Sequence, residues 1–320
     1  MLLLWQRLIL YKFKFQLYMK IYDCFQFFDE EMLLDLRLNV MNKYIDKFVI
    51  TEATYMHNGK PKNLNFDIKK YSKFKDKIIY NVIDREPSNI ESIYEEDKDE
   101  KDTRGQKLVN NSNKREHYQR NMAEESLKIL SEAEPEDIIL INDIDEIPNL
   151  DEINFKEINK KLIFFKQKMF FYKFNLQHEE MTWVGSRACK KKNFISPQWM
   201  RDTKDKKYPF WRLDTIFSKT KYNSIHYVEN GGWHFTNIKS PEDIEKKFLN
   251  FLHHQDYEYS GLNLNDIKKM VETKKILYDH NADQKGYKWT GSKTLKKVDL
   301  SQMPDYIKKN YKKYYTWLDI

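Results

Sequence analysis

In Asp137-Ile-Ile-Leu-Ile141 the four residues after the aspartate are an unbroken apolar run of strand length that stops against Asn142-Asp-Ile-Asp-Glu-Ile-Pro148. A strand that is apolar at successive positions has both faces covered, the condition of a central strand in a parallel sheet. The chain ahead of it fits that setting. Residues 20–25 read as a first strand, and Leu33, Leu36, Val40 and Tyr44 follow at helical spacing, with Asp29 as the expected cap. Residues 47–51 read as a second strand ending at Glu52, and residues 77–82 as a third. Alternation of this kind predicts an α/β fold, a single Rossmann-like domain whose mostly parallel sheet gathers its ligand-binding loops at the carboxyl ends.

The polar, acid-rich residues 88–112 read as a mobile charged loop, and residues 115–132 as a helix leading into the apolar strand. Past Pro148 the expectation is a helix, an aromatic strand region over 164–174, and an acceptor side carrying Trp183, Trp199, Trp211 and Trp233. A closing helix is expected over 305–317. No internal repeat or linker divides the chain, so residues 19–320 read as one catalytic domain.

Residues 1–18 are apolar but broken by Gln6, Arg7, Lys12 and Lys14, short of the roughly 20 residues that span a bilayer, and read as an extension ahead of a start at Met19. With 33% charged and 15% aromatic residues, the chain is too aromatic for disorder and too polar for a membrane bundle. The net charge of +7 is spread among 56 basic and 49 acidic residues rather than drawn into one stripe, and no nucleic-acid motif is present. Two cysteines, Cys24 and Cys189, build neither a disulfide framework nor a Cys-rich zinc site. A reducing, cytoplasmic setting without a transmembrane anchor is expected, with membrane-surface association open.

Asp143 and Asp145 alternate around Ile144 directly after the buried strand, so two hard oxygen ligands are presented together. Such carboxylates suit Mn²⁺ or Mg²⁺, which bridges nucleotide phosphates and neutralises a departing diphosphate. A solvated acidic turn or a helix cap is the competing use of Asp-x-Asp. Glu146 adds a third acid, and without a cation three adjacent carboxylates are expected to repel and raise one another's pKa values. Arg115, His117 and Arg120 lie one helix upstream, where they meet donor phosphates, hold the acids or simply form surface ion pairs. Gly231-Gly-Trp-His-Phe235 joins permissive backbone to an indole and an imidazole, with His234 either a metal ligand or a structural residue.

Residues 20–25 with Phe27-Phe28-Asp29-Glu30, residues 47–53, Glu116-His-Tyr-Gln-Arg-Asn121, residues 142–148 and Gly232-Trp-His-Phe235 together resemble glycosyltransferase family 17. That is the family of the β-1,4-mannosyl-glycoprotein β-1,4-N-acetylglucosaminyltransferases, which make bisected N-glycans. The likeness runs from about Met19 to Tyr257 and more weakly beyond. It implies a GT-A type fold, an inverting reaction, UDP-N-acetylglucosamine as donor, a glycan acceptor and a divalent metal. By position it places the metal motif on Asp143 and Asp145 and strengthens His234 as a third ligand.

A carboxylate is then expected to deprotonate the acceptor hydroxyl, with Asp214 preferred over Asp256. Glu52 is expected near the nucleotide together with Arg115 and Arg120, and Trp183, Arg187 and Trp233 as an acceptor shelf. The competing readings are a transferase using another nucleotide sugar, a phosphoryl-transferring enzyme, a polynucleotide-binding module and an inactive glycan-binding relative. The absence of any G-x-x-x-x-G-K loop weighs against phosphoryl transfer.

Overall fold

The computed structural model describes residues 19–94, 97, 101–129, 133–151, 153–250, 254–277, 289, 291 and 293–320. The expected extension, residues 1–18, lies outside them. The first three strands, β1 Ile21–Gln26, β2 Lys47–Ala53 and β3 Ile78–Ile83, fall where the apolar runs place them. β4 Ile138–Asn142 is buried along its whole length, as its composition requires. β5 Glu146–Pro148, β6 Leu162–Phe165, β7 Gln167–Phe171, β8 Leu176–Trp183, β9 Arg187–Lys190, β10 Ile225–Val228 and β11 Gly232–Thr236 follow.

The larger sheet has the order β10-β6-β9-β4-β1-β2-β3. β1 pairs in parallel with both β2 and β4, β2 with β3, and β6 with β10, while β9 runs antiparallel between β4 and β6. The fold is therefore mixed α/β around a mostly parallel sheet. Alternate β4 residues serve opposite faces: Ile138 and Leu140 enter one core, Ile139 and Ile141 the other. A second sheet joins β8, β7, β11 and β5, with the short strand Lys296–Lys297 at its edge. Four short connections carry the chain between the sheets: from β4 to β5 through residues 143–145, from β6 to β7 through Lys166, from β8 to β9 through residues 184–186, and from β10 to β11 through residues 229–231. The acidic motif is the first of these crossings.

Helix α1, Glu31–Met41, turns Leu33, Leu34, Leu36, Leu38 and Met41 into the core, and its cap is Glu30 rather than Asp29. Helix α2, Lys101–Ile129, lies across β1, β2 and β3 and starts inside the segment expected to be a loop. Its protein-facing positions include Asn111, Ser112, Gln119 and Ser126, all buried, so an apolar helical stripe is missing there. Asn111 binds the backbone of Glu91 in both directions at 2.8 Å, tying residues before the helix onto it. Helices α3 Pro197–Asp202, α4 Asp214–Phe217, α5 Pro241–Asn250 and α6 His254–Ser260 come later.

One expected helix is not formed among the described residues and another is shorter than expected. Residues 149–161 are turns where described, and the closing segment is a helix of five residues, Asp305–Lys309, with a 3-10 turn at Tyr315–Trp317. Between those two elements Tyr314 is buried edge-on against Phe174. No helix among the described residues is long and apolar enough to cross a membrane.

Candidate active site

The acidic crossing is held from below by a buried charge pair. Arg37 on α1 donates to Asp23 on β1 through Nε at 2.8 Å and Nη2 at 2.5 Å, and both side chains are fully buried. Its Nη1 then reaches the backbone carbonyls of Asp143 at 3.2 Å and Glu146 at 2.5 Å. Asn142 donates to the same Asp23 carboxylate at 2.6 Å. The strand end and both ends of the acidic loop are thus pinned to one guanidinium–carboxylate pair, whose charges satisfy each other out of water.

The three carboxylates diverge. Glu146 points inward and is fully buried, accepting from the Asp143 backbone N–H at 2.9 Å, Trp183 Nε1 at 2.7 Å and Arg201 Nη1 at 2.8 Å. Asp143 turns toward α2 and α3, taking Arg201 Nη2 at 2.7 Å and Arg120 Nη2 at 3.2 Å. Asp145 turns the other way, with His234 Nε2 at 3.5 Å and Lys247 Nζ at 3.8 Å. The expected mutual repulsion is therefore relieved by the protein's own cations. Burial works against ionised Asp143, but Arg201 and Arg120 outweigh it and hold the carboxyl well below its usual range. At Asp145 burial is likewise outweighed, by His234 and then Lys247.

His234 reaches this position through strand pairing. β11 runs antiparallel to β5 with His234 opposite Glu146, and the Phe235 N–H donates to the Asp145 carbonyl at 2.8 Å. The imidazole stacks on Trp183 at 4.9 Å between centroids, and Thr236 Oγ1 lies 3.1 Å from Nε2. Gly232 has φ +114°, and a Cβ there would meet the Ile147 carbonyl at 2.2 Å. The close approach that glycine permits is thus to the neighbouring strand rather than to a ligand. Gly185 is constrained the same way, since a Cβ would lie 1.9 Å from Glu146 Oε1 and 2.2 Å from Trp183 Nε1.

Asp143, Asp145, Trp183 and His234 all border a cleft of about 390 Å³ at the carboxyl ends of β1, β2 and β4. One wall is Gln26, Phe27 and Phe28 after β1, with Tyr55, Met56 and His57 after β2; α2 adds Glu116 and Gln119. The opposite end is apolar, with Phe171, Phe248 and Trp289. Burial depresses the pKa of His57, favouring the neutral imidazole, while at Glu116 burial is outweighed by Arg120, which keeps the carboxylate ionised.

The other expected site residues do not line this cleft. Glu52 is fully buried and enclosed by Lys62 Nζ at 2.5 Å, Tyr80 OH at 2.8 Å and the N–H groups of Asn65 and Phe66; it is Lys62 that borders the cleft. Arg115 is paired with Glu86 at 2.9 Å. Arg120 stands behind the acidic motif, bridging Asp143, Glu116 and Gln198. Arg187 spends its guanidinium on the carbonyls of Met200, Arg201 and Thr203, and Trp233 donates to the Gln302 carbonyl at 2.7 Å; neither lines the cleft. Asp214 is exposed in ion pairs with Arg212 and Lys221, and Asp256 sits on α6, so the two expected bases are both placed away from the cleft lining. His117 is half-buried on α2, its pKa lowered by burial. Arg37, Arg201, Lys247 and His57 are the additions that the motifs did not disclose.

A family model described as Glycosyltransferase family 17 matches residues 9–318, nearly the whole chain. The chain belongs to glycosyltransferase family 17. It is a glycosyltransferase, and its reaction takes a sugar donor and a glycan acceptor. The match extends the likeness on both sides of the stretch from Met19 to Tyr257 where the motifs cluster. A search of curated proteins finds no match.

Proposed function

We propose that this member of glycosyltransferase family 17 is an inverting enzyme that moves N-acetylglucosamine from UDP-N-acetylglucosamine to a hydroxyl of a glycan, on a GT-A type sheet and with a divalent metal. The observation that carries the reading is the Asp145–His234 pair, 3.5 Å apart and facing a cleft at the carboxyl ends of a parallel sheet. The single antiparallel strand in an otherwise parallel order supports the fold assignment.

A hard carboxylate oxygen beside an imidazole nitrogen suits Mn²⁺ or Mg²⁺. Among the described residues no three His, Cys, Asp or Glu side chains converge on one point, and the Asp143 carboxylate is engaged by arginines. Asp145 and His234 are the two residues that would hold such an ion, in place of the three expected. Such an ion supplies neutralisation of the charge that develops on the leaving diphosphate.

The protein's own residues supply the rest. Lys247, 3.8 Å from Asp145, adds positive charge where the diphosphate departs. Phe27, Phe28, Tyr55 and Gln26 offer flat and amide surfaces for the nucleoside. Trp183 holds the imidazole by stacking and, through Glu146, is itself fixed to the acidic motif. The acceptor hydroxyl loses its proton to a cleft carboxylate as it attacks the anomeric carbon opposite the nucleotide, and single displacement inverts that centre. Glu30 and Glu116 are the carboxylates of the cleft lining outside the acidic motif.

Calorimetric titration with UDP tests the metal assignment. Mn²⁺ is expected to tighten binding by about tenfold or more, roughly the 1.5 to 3 kcal/mol of one charged contact. Asp145→Ala and His234→Ala should each remove that gain while UDP still binds. Equal UDP affinity with Mn²⁺ and with chelator would overturn it.

A further inference from the structure

Beyond the cleft, residues 204–221 form an excursion with the usual burial pattern reversed. Within eight residues Phe210 is 86% exposed, Trp211 65%, Leu213 68%, Ile216 70% and Phe217 86%, while Thr215 is the side chain turned inward. Five large apolar side chains on one short segment form the kind of patch that soluble surfaces do not ordinarily present without a partner.

The excursion is built rather than frayed. Lys204 N–H donates to the Thr220 carbonyl at 2.8 Å and closes its base. Pro209 accepts from the Arg212 N–H at 3.1 Å in a turn that places Phe210 edge-on to Trp211 at 5.1 Å. Thr215 Oγ1 donates to the Arg212 carbonyl at 2.7 Å and accepts from Asn223 at 3.2 Å, anchoring α4 from beneath. These bonds hold the apolar side chains outward.

The charge around the patch is predominantly positive. Lys204, Lys206, Lys207, Arg212, Lys219 and Lys221 stand against Asp205 and Asp214, a net of +4. Asp214 is covered by Arg212 at 2.6 Å and Lys221 at 3.3 Å. Trp and Phe beside aliphatic residues, ringed by lysines, match the requirements of a bilayer boundary: amphipathic or apolar rings for the headgroup–acyl junction and cations for anionic headgroups. We propose that residues 204–221 are an interfacial membrane-docking loop for an anionic lipid surface. Arg201, which holds Asp143, lies three residues before the excursion, so docking at the bilayer would set the catalytic cleft at a fixed height above it.

The test is co-sedimentation of the full chain with phosphatidylcholine vesicles, alone and with about 30% phosphatidylglycerol, the charge that polybasic segments sense. The wild type is expected to partition onto the anionic vesicles. F210S/W211S/F217S and, separately, K204E/K206E/K207E should each weaken that partitioning by about tenfold or more, with unchanged thermal unfolding because the altered side chains are exposed. The charge variant keeps the test alive if the apolar one folds poorly. Absence of vesicle binding by the wild type, or binding undiminished in both variants, would overturn the proposal. So would a wild-type dimer that both variants disperse to monomers, which would assign the patch to a second copy.

Discussion

At the scale of single residues, the acidic motif combines three separate tasks. Glu146 fixes Trp183 and Arg201, Asp143 is matched to two guanidinium groups, and Asp145 faces the cleft beside His234. The motif itself was legible in the sequence, because two acids alternating after a buried strand form a local pattern. Arg37, Arg201 and Lys247 were not, since each comes from a different segment and meets the motif only in three dimensions. The Asp143 arrangement carries a pH signature. Its carboxyl is depressed below the ordinary 3.8, burial being outweighed by Arg201 and Arg120, so its contribution to stability is present above that value and lost as pH falls through the lower, folded value. Replacing Arg201 with Met removes most of that stabilisation. Acid unfolding, followed by circular dichroism, should then begin at higher pH than in the wild type; an unchanged acid transition would show that the pair does not hold Asp143.

Among elements, the acidic crossing depends on α1 as much as on β4. A fully buried Arg37 with four hydrogen-bond partners in the neighbouring strand and loop is not visible in an apolar periodicity, which registers Leu33, Leu36 and Val40 and passes over the charge between them. Arg37→Met leaves Asp23 as an uncompensated buried carboxylate and should destabilise the fold by about 3 to 5 kcal/mol, measured by urea unfolding. A loss below about 1 kcal/mol would mean that the loop is held elsewhere.

Element legibility followed burial chemistry. β1 to β4 are apolar runs and stood out, whereas α2 begins at Lys101, well ahead of the expected start, because its protein-facing side is polar and its hydrogen bonds, such as Asn111 to Glu91, do the work of an apolar stripe. β5 is three residues long and β8 is half-exposed, so the second sheet left little trace in composition.

For the molecule as a whole, two sheets joined by four short connections enclose a cleft whose polar wall carries the acidic motif and whose lining elsewhere is aromatic and apolar. The alternation of strands and helices, the position of the motif and the companion histidine were readable in the sequence. The placement of Asp214, Asp256, Glu52, Arg187 and Trp233 was not, because their roles are set by partners distant in sequence. Membership of glycosyltransferase family 17 fixes the class of reaction; the donor and the metal are proposals beyond it.

The most direct test is release of free nucleotide from a panel of UDP- and GDP-sugars by the purified protein with Mn²⁺, in the absence of acceptor, beside Asp145→Ala. The expected result is selective release from UDP-N-acetylglucosamine that vanishes with chelator and in the variant. Release from a different sugar nucleotide, or release that persists in Asp145→Ala, would contradict it.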